Sequence, residues 1–164
     1  PVNRRQRQMC IRDRVKAIKS RLKKVSEDIC LGVNIGPNKE TAPEELVNDY
    51  LLCYEEVFEY ADFVTINISS PNTPNLRSLH NIENFKAVIN AILSERNKHQ
   101  KKPKVFIKIS PDEQPNIYKD LIETINNSEI DGVIISNTSN SQNLKESLNV
   151  GHLPGGISLS LIHI

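Results

Sequence analysis

Several polar side chains stand where an apolar strand would not choose them. Asn34 lies in Cys30-Leu-Gly-Val-Asn-Ile-Gly36, Asn67 in Phe63-Val-Thr-Ile-Asn-Ile68, and Lys108 in Lys104-Val-Phe-Ile-Lys-Ile109. Ser136, Asn137 and Thr138 follow Gly132-Val-Ile-Ile135, and Ser70 follows the second of these runs. Taken singly, Asn, Ser and Thr are ordinary loop and cap residues. Repetition at four successive strand ends points instead to a ligand site. A lysine buried without a partner is costly, so Lys108 is expected to meet an anion or an electron-rich group. These positions hold no His, Cys or paired carboxylates, which argues against a metal site and an acid/base dyad. Amides and hydroxyls suit a planar heterocycle with carbonyl and N–H edges, and a lysine beside it would stabilise negative charge developing on the ring. A flavin and a small polar ring both answer that description, and the pattern names neither.

The elements that must position these residues follow from periodicity. The four apolar runs read as strands. Between them, helical spacing predicts helices over about 43–60 (Leu46, Tyr50, Tyr54, Val57, Phe58, Ala61), over about 81–98 (Phe85, Val88, Ile89, Ile92), and from Pro115 (Tyr118, Leu121, Ile122, Ile125). Thr41 and Glu44 have the spacing of a capping box, with Pro43 in the first turn. Val15, Ile18, Leu22 and Val25 mark a further amphipathic helix over about 14–25, suited to the outside of a domain or, being basic, to an anionic lipid surface. Strands alternating with helices imply a parallel α/β sheet, read here as apolar on both faces. The repeat fits either a (β/α)8 barrel or an open doubly wound sheet. No glycine-rich phosphate fingerprint follows the first strand, which counts against a dinucleotide site.

The chain has 164 residues with 21 basic and 20 acidic side chains. Ten of the basic groups and one acid, Asp13, fall in the first 24 residues, so a basic arm stands before an acidic body. That asymmetry suits a nucleic-acid or membrane arm, a targeting segment, or a stretch foreign to the body. Apolar runs are too short for a membrane-spanning helix. Cys10, Cys30 and Cys53 are odd in number and scattered, with neither disulfide nor zinc spacing.

Four blocks carry a resemblance. Gly32-Val-Asn-Ile-Gly-Pro-Asn-Lys39, Ile66-Asn-Ile-Ser-Ser-Pro-Asn-Thr73 with Leu76-Arg-Ser-Leu79, Ile107-Lys-Ile-Ser-Pro-Asp112 and Asp131-Gly-Val-Ile-Ile-Ser-Asn-Thr138 occur in that order. They resemble dihydroorotate dehydrogenase, in particular its quinone-linked class 2, over about residues 15–158 and through Gly155-Gly-Ile-Ser158. The resemblance implies an α/β fold: a partial (β/α)8 TIM barrel, with about four βα units of the eight. It implies FMN as cofactor, oxidation of dihydroorotate to orotate in pyrimidine synthesis, and quinone as acceptor through a domain outside this chain. By position, Ser70 matches the catalytic base, where class 1 has Cys. Asn34, Asn67, Lys108 and Ser136 match flavin-binding residues. Asn67, Asn72, Asn137 and Thr138 match the substrate-binding set. No metal and no nucleic acid are implied. Membrane association is implied, at the mitochondrial inner membrane in a eukaryote or the cytoplasmic membrane in a bacterium. Ser136 and Ser139 stand where the family commonly has Thr, and Leu159 where it has Gly.

Residues 1–14 and 159–164 fit no part of the pattern and resemble translated adapter sequence, so 15–158 is expected to be the family segment and the two ends foreign. On this reading the isolated chain has no turnover. The rival readings are a basic-tailed nucleic-acid or membrane module, and another FMN barrel such as class 1.

Overall fold

The computed structural model describes residues 17–26, 28–38, 41–69, 81–152 and 155–158. A short helix α1 covers 17–22. Strand β1 is Gly32–Ile35; a 3-10 turn at Pro43–Glu45 leads into α2, Leu46–Val57. Then come β2 (Phe63–Asn67), α3 (Ile82–Asn97), β3 (Lys104–Lys108), α4 (Pro115–Asn126), β4 (Gly132–Ile134) and α5 (Gln142–Ser147). The strands form one parallel sheet in the order β1-β2-β3-β4. Sequential parallel neighbours joined by helical crossovers are the arrangement of a (β/α)8 barrel, and four βα units give part of one.

The two faces of this sheet differ, which corrects the expectation that both are apolar. Ile35, Val64, Ile66, Val105 and Ile107 point to one face and are buried with Leu46, Tyr50, Tyr54 and Val57 of α2, Phe85, Val88, Ile89 and Ile92 of α3, and Leu121 and Ile125 of α4. The alternate residues, on the opposite face, are Gly32, Asn34, Phe63, Thr65, Asn67, Lys104, Phe106, Lys108, Gly132 and Ile134, a mixture of polar and apolar groups. Here the Phe63 and Phe106 rings meet edge to face, 5.6 Å between centroids. In a closed barrel this second face is the interior.

Local signals explain most element boundaries. Pro115 starts α4 as its first residue, where the missing N–H costs nothing. Asn81 caps α3, its Oδ1 accepting from the Glu83 N–H. The Thr41–Glu44 capping box does not form: Ala42 occupies the cap position with no side-chain bond. The Thr41 hydroxyl donates instead to the buried carboxylate of Asp49, which also accepts from the Asn38 N–H at 3.2 Å. A buried carboxylate in need of donors takes the hydroxyl away from the helix terminus.

Two further expectations change. The fourth strand ends at Ile134, not Ser136. Ile109 donates to the Ile134 carbonyl and accepts from the Asn137 N–H, so Ile135 and Ser136 are looped out of the ladder. Ile135 is left 81% exposed. The α5 helix has no counterpart among the predicted elements; Ser141 caps it through the Leu144 N–H. At the amino end of the chain, Leu22 packs against the margin of the core and Lys19 pairs with Glu56 of α2 at 3.1 Å. The basic helix therefore lies on α2, with Ile18 exposed; its expected first residues, 14–16, lie outside the described residues.

Candidate active site at the carboxyl ends of the strands

Parallel pairing places Asn67 and Lys108 opposite each other as the last residues of β2 and β3, with Ile134 next in the row. Register partners on a sheet face the same way, so the amide and the ammonium rise together from the interior face. Lys108 is half-buried, and its ammonium has no hydrogen-bond or ion-pair partner among the described residues. Asn34 lies on the same face but one row lower, opposite Thr65. The residue level with Asn67 on that side is Gly36, where a Cβ would come within 3.8 Å of the Asn67 carbonyl oxygen.

Asn67 is fixed from two directions. The buried Tyr50 hydroxyl donates to its backbone oxygen at 2.8 Å. Burial pushes the Tyr50 phenol well above its ordinary range, so it remains a neutral donor. The Asn67 Oδ1 accepts from the Ser69 N–H at 3.2 Å and from the Ser69 hydroxyl at 2.9 Å. With Oδ1 so engaged, Asn67 offers its Nδ2 hydrogens to a ligand.

Ser69 is the hub of the site and is buried. Its carbonyl and Oγ both accept from Asn137 Nδ2, at 2.9 and 3.1 Å, tying β2 to the segment after β4 across β3. Asn137 Oδ1 accepts from the Thr138 N–H at 2.9 Å. Both Nδ2 hydrogens are thus spent on Ser69, and toward a ligand Asn137 presents the remaining lone pair of Oδ1. The Thr138 hydroxyl lies against Gly156, where an added Cβ would sit 2.3 Å from Oγ1. Ser136 is exposed, and its hydroxyl donates to the Asn137 carbonyl at 3.0 Å. Ser70 and Asn72 lie outside the described residues.

Sequence reasoning missed three contributors. Ser69 was not singled out, because nothing local shows that its hydroxyl and carbonyl meet Asn67 and Asn137. Tyr50 reads as a core residue from helical spacing, and only the fold shows where its hydroxyl goes. Asp112 sits in a quoted block but not at a strand end. Its carboxylate accepts from the Ser139 hydroxyl at 2.5 Å and the Asn140 N–H at 2.6 Å.

The donor set is one unpaired ammonium, primary amides and hydroxyls gathered at the carboxyl edge of a parallel sheet. It fits the polar pyrimidine end of a flavin, which presents carbonyl oxygens, ring nitrogens and, when reduced, negative charge. Among the described residues no three His, Cys, Asp or Glu side chains converge as a metal would require.

Fold and site together define a segment of a parallel βα barrel that gathers amides, hydroxyls and a lysine where barrel enzymes keep their active sites. A sequence model of dihydroorotate dehydrogenase matches residues 10–163. The chain belongs to the dihydroorotate dehydrogenase family. A dihydroorotate dehydrogenase (quinone) from Christiangramia forsetii is 39% identical over 145 residues, covering 88% of this chain and 42% of the relative. One from Klebsiella pneumoniae subsp. pneumoniae is 40% identical over 141 residues, covering 84% and 42%. Among solved structures, dihydroorotate dehydrogenase from Eimeria tenella in complex with ferulenol superposes with a TM-score of 0.76 at 29% identity, over 87% of this chain and 44% of that one. The chain therefore spans about two-fifths of the length of the curated relatives it matches.

Proposed function

We propose that this chain is the central part of a quinone-linked dihydroorotate dehydrogenase, which oxidises dihydroorotate to orotate with FMN. The observation that carries the reading is the Asn67–Lys108 pair at the strand ends, with Asn137 tied to Asn67 through Ser69. The names of the relatives support the substrate and the acceptor.

FMN, when bound, supplies a two-electron acceptor. Lys108 would lie against its pyrimidine end and offset the charge that ring gains on reduction. Asn34, Asn67 and Ser136 would contribute polar contacts to the same group. Asn67, Asn72, Asn137 and Thr138 would fix the orotate ring. Ser70 would take the proton from C5 of dihydroorotate. A serine hydroxyl is a weak base, so its proton must leave through hydrogen-bonded neighbours. The quinone would be reached through a domain beyond residues 15–158, and membrane association follows from that acceptor. Among the described residues no helix is long and apolar enough to cross a membrane.

The test is a chimera in which residues 15–158 replace the matching segment of a quinone-linked relative. It should purify with about one FMN per chain and reduce a quinone analogue only when given dihydroorotate. In that chimera, Ser70→Ala should slow flavin reduction by roughly 100- to 10,000-fold and leave orotate affinity intact. A flavin-free chimera, or one indifferent to dihydroorotate, overturns the reading. Loss of orotate binding in Ser70→Ala would make Ser70 a binding residue instead.

A further inference from the structure

The loop after β4 carries Asn137 and Thr138; Asn137 is held by Ser69 and by its N–H to the Ile109 carbonyl at 3.0 Å, and beyond it other residues must fix the rest of the loop to the barrel. Ser139 and Asn140 do so. The Ser139 hydroxyl, on a buried residue, donates to Asp112 Oδ1 at 2.5 Å, and the Asn140 N–H donates to Oδ2 at 2.6 Å. Both carboxylate oxygens of one side chain thus grip two consecutive residues of the loop. The Ser139 Oγ also accepts from the Ser141 N–H at 3.1 Å. On its other side, the Ser139 backbone exchanges two hydrogen bonds with Ile157, at 2.9 and 2.7 Å, which holds Gly156 against the Thr138 hydroxyl. Asp112 is itself held by the turn after β3, its N–H donating to the Ser110 Oγ at 3.2 Å. The Tyr118 hydroxyl of α4 donates to the Ser110 carbonyl at 2.5 Å.

We propose that Asp112 is a positioning residue for the ring site: acting through Ser139 and Asn140, it sets Asn137 and Thr138 at the height at which they meet the substrate. This rests on the function proposed above. Charge-assisted hydrogen bonds are about twice as strong as neutral ones, which suits a carboxylate to the task of holding a mobile class of segment. Small displacements of substrate-positioning groups are expensive, so the clamp matters although it touches no ligand. The hydroxyl at 139 is the part of the partner that counts, and Thr would supply it equally.

The experiment uses the FMN-loaded chimera with Asp112→Asn, Ser139→Ala, Ser139→Thr and the double variant Asp112→Asn/Ser139→Ala. FMN content, thermal midpoint, orotate dissociation constant and the rate of flavin reduction by dihydroorotate are read for each. Asp112→Asn turns one acceptor into a donor facing the Asn140 N–H or the Ser139 hydroxyl. It and Ser139→Ala should each weaken orotate binding and slow reduction by roughly 10- to 100-fold. FMN content should hold, Ser139→Thr should match the parent, and the double variant should be no worse than the weaker single. Unchanged orotate affinity in both single variants overturns the proposal, as does a strictly additive double variant. So does a loss confined to thermal stability, which would make Asp112 structural only. If Asp112→Asn does not fold, Ser139→Ala against Ser139→Thr decides alone. A parent chimera that dihydroorotate never reduces overturns the proposed function, and this proposal with it; an active parent with unmoved variants overturns this proposal alone.

Discussion

Asn67 and Lys108 are partners in the β2–β3 register, each closing its strand, and the two side chains stand side by side on the interior face. The pairing brings the one half-buried ammonium of the row beside an amide whose oxygen Ser69 already holds. A fixed charge beside an oriented donor is the combination on which the proposed flavin site rests.

Lys108→Met should therefore separate binding from folding. Among the described residues the ammonium has no hydrogen-bond or ion-pair partner to lose, so the thermal midpoint of the FMN-free protein should stay the same or rise. FMN affinity of the chimera should fall by roughly 10- to 100-fold, the worth of one charge-assisted hydrogen bond. Titration of the apoprotein with FMN, monitored by flavin fluorescence, checks both arms. An unchanged affinity would remove Lys108 from the site.

The Ser69–Asn137 contact predicts a coupling. Ser69→Ala removes one acceptor from Asn137 Nδ2 and one donor from Asn67 Oδ1, while Asn137→Ala removes the other end of the same bridge. The two substitutions should be non-additive in unfolding free energy by about 1 kcal/mol, as for residues sharing one network. Denaturant unfolding of the parent, both singles and the double gives the cycle.

At the opposite end of the sheet, Asp131 accepts from Arg96 Nη1 at 2.9 Å, Lys104 Nζ at 2.9 Å and the Val105 N–H at 2.8 Å. Burial pushes its carboxyl up, but the Lys104 and Val105 hydrogen bonds and the two cations outweigh it and hold the pKa below the usual value. A carboxylate depressed on folding contributes stability at every pH above its unfolded pKa of about 4, and that contribution is lost as pH falls through the lower folded value. The parent should thus lose stability on acidification below about pH 4, and Asp131→Asn should flatten this part of the profile. At neutral pH the substitution should cost about 2–4 kcal/mol, since it leaves the nearly buried Arg96 guanidinium with only the more distant Glu129 as its carboxylate partner. Glu129→Gln, at an exposed carboxylate 3.5 Å from Arg96, should cost under about 1 kcal/mol. Urea titrations between pH 3 and 8 measure both.

Much of this fold could be read from residue types, and the misses share a cause. Pro115 announced its helix because a fixed φ and a missing N–H act locally. The strands announced themselves through runs of β-branched residues. Thr41 misled because its competitor, Asp49, is eight residues away and becomes a competitor only once buried. The α5 helix is six residues long and buries none of them, so it leaves no apolar period. The same division holds in the site. Asn67 and Lys108 stood out as polar residues in apolar strands, whereas Asn34 falls one row short of them for a reason that lies in strand register, which no single strand encodes. Ser69 and Asp112 bond to residues 68 and 27 positions away, respectively, and such partners are invisible until the barrel brings the strand ends together.

The interior face also constrains two glycines, and this gives a ranked prediction. Gly32 is the register partner of Phe63, and Gly132 that of Phe106. Each ring lies over the glycine of the neighbouring strand: a Cβ on Gly32 would fall 2.0 Å from Phe63 Cζ, and one on Gly132 would fall 3.0 Å from Phe106 Cδ1. The rings also hold each other edge to face, so moving Phe63 disturbs Phe106. Gly32→Ala must swing the Phe63 ring off its seat and should destabilise by about 1–3 kcal/mol, as overpacking does. Gly132→Ala asks for only a few tenths of an ångström and should cost less. If the collision is the cause, Phe63→Leu should absorb most of the Gly32→Ala penalty, because the shorter side chain no longer reaches across to β1. Thermal or urea unfolding of the three single variants and the Gly32→Ala/Phe63→Leu pair decides the point. Equal costs for the two glycines, or a full Gly32→Ala penalty in the Phe63→Leu background, would place the strain elsewhere.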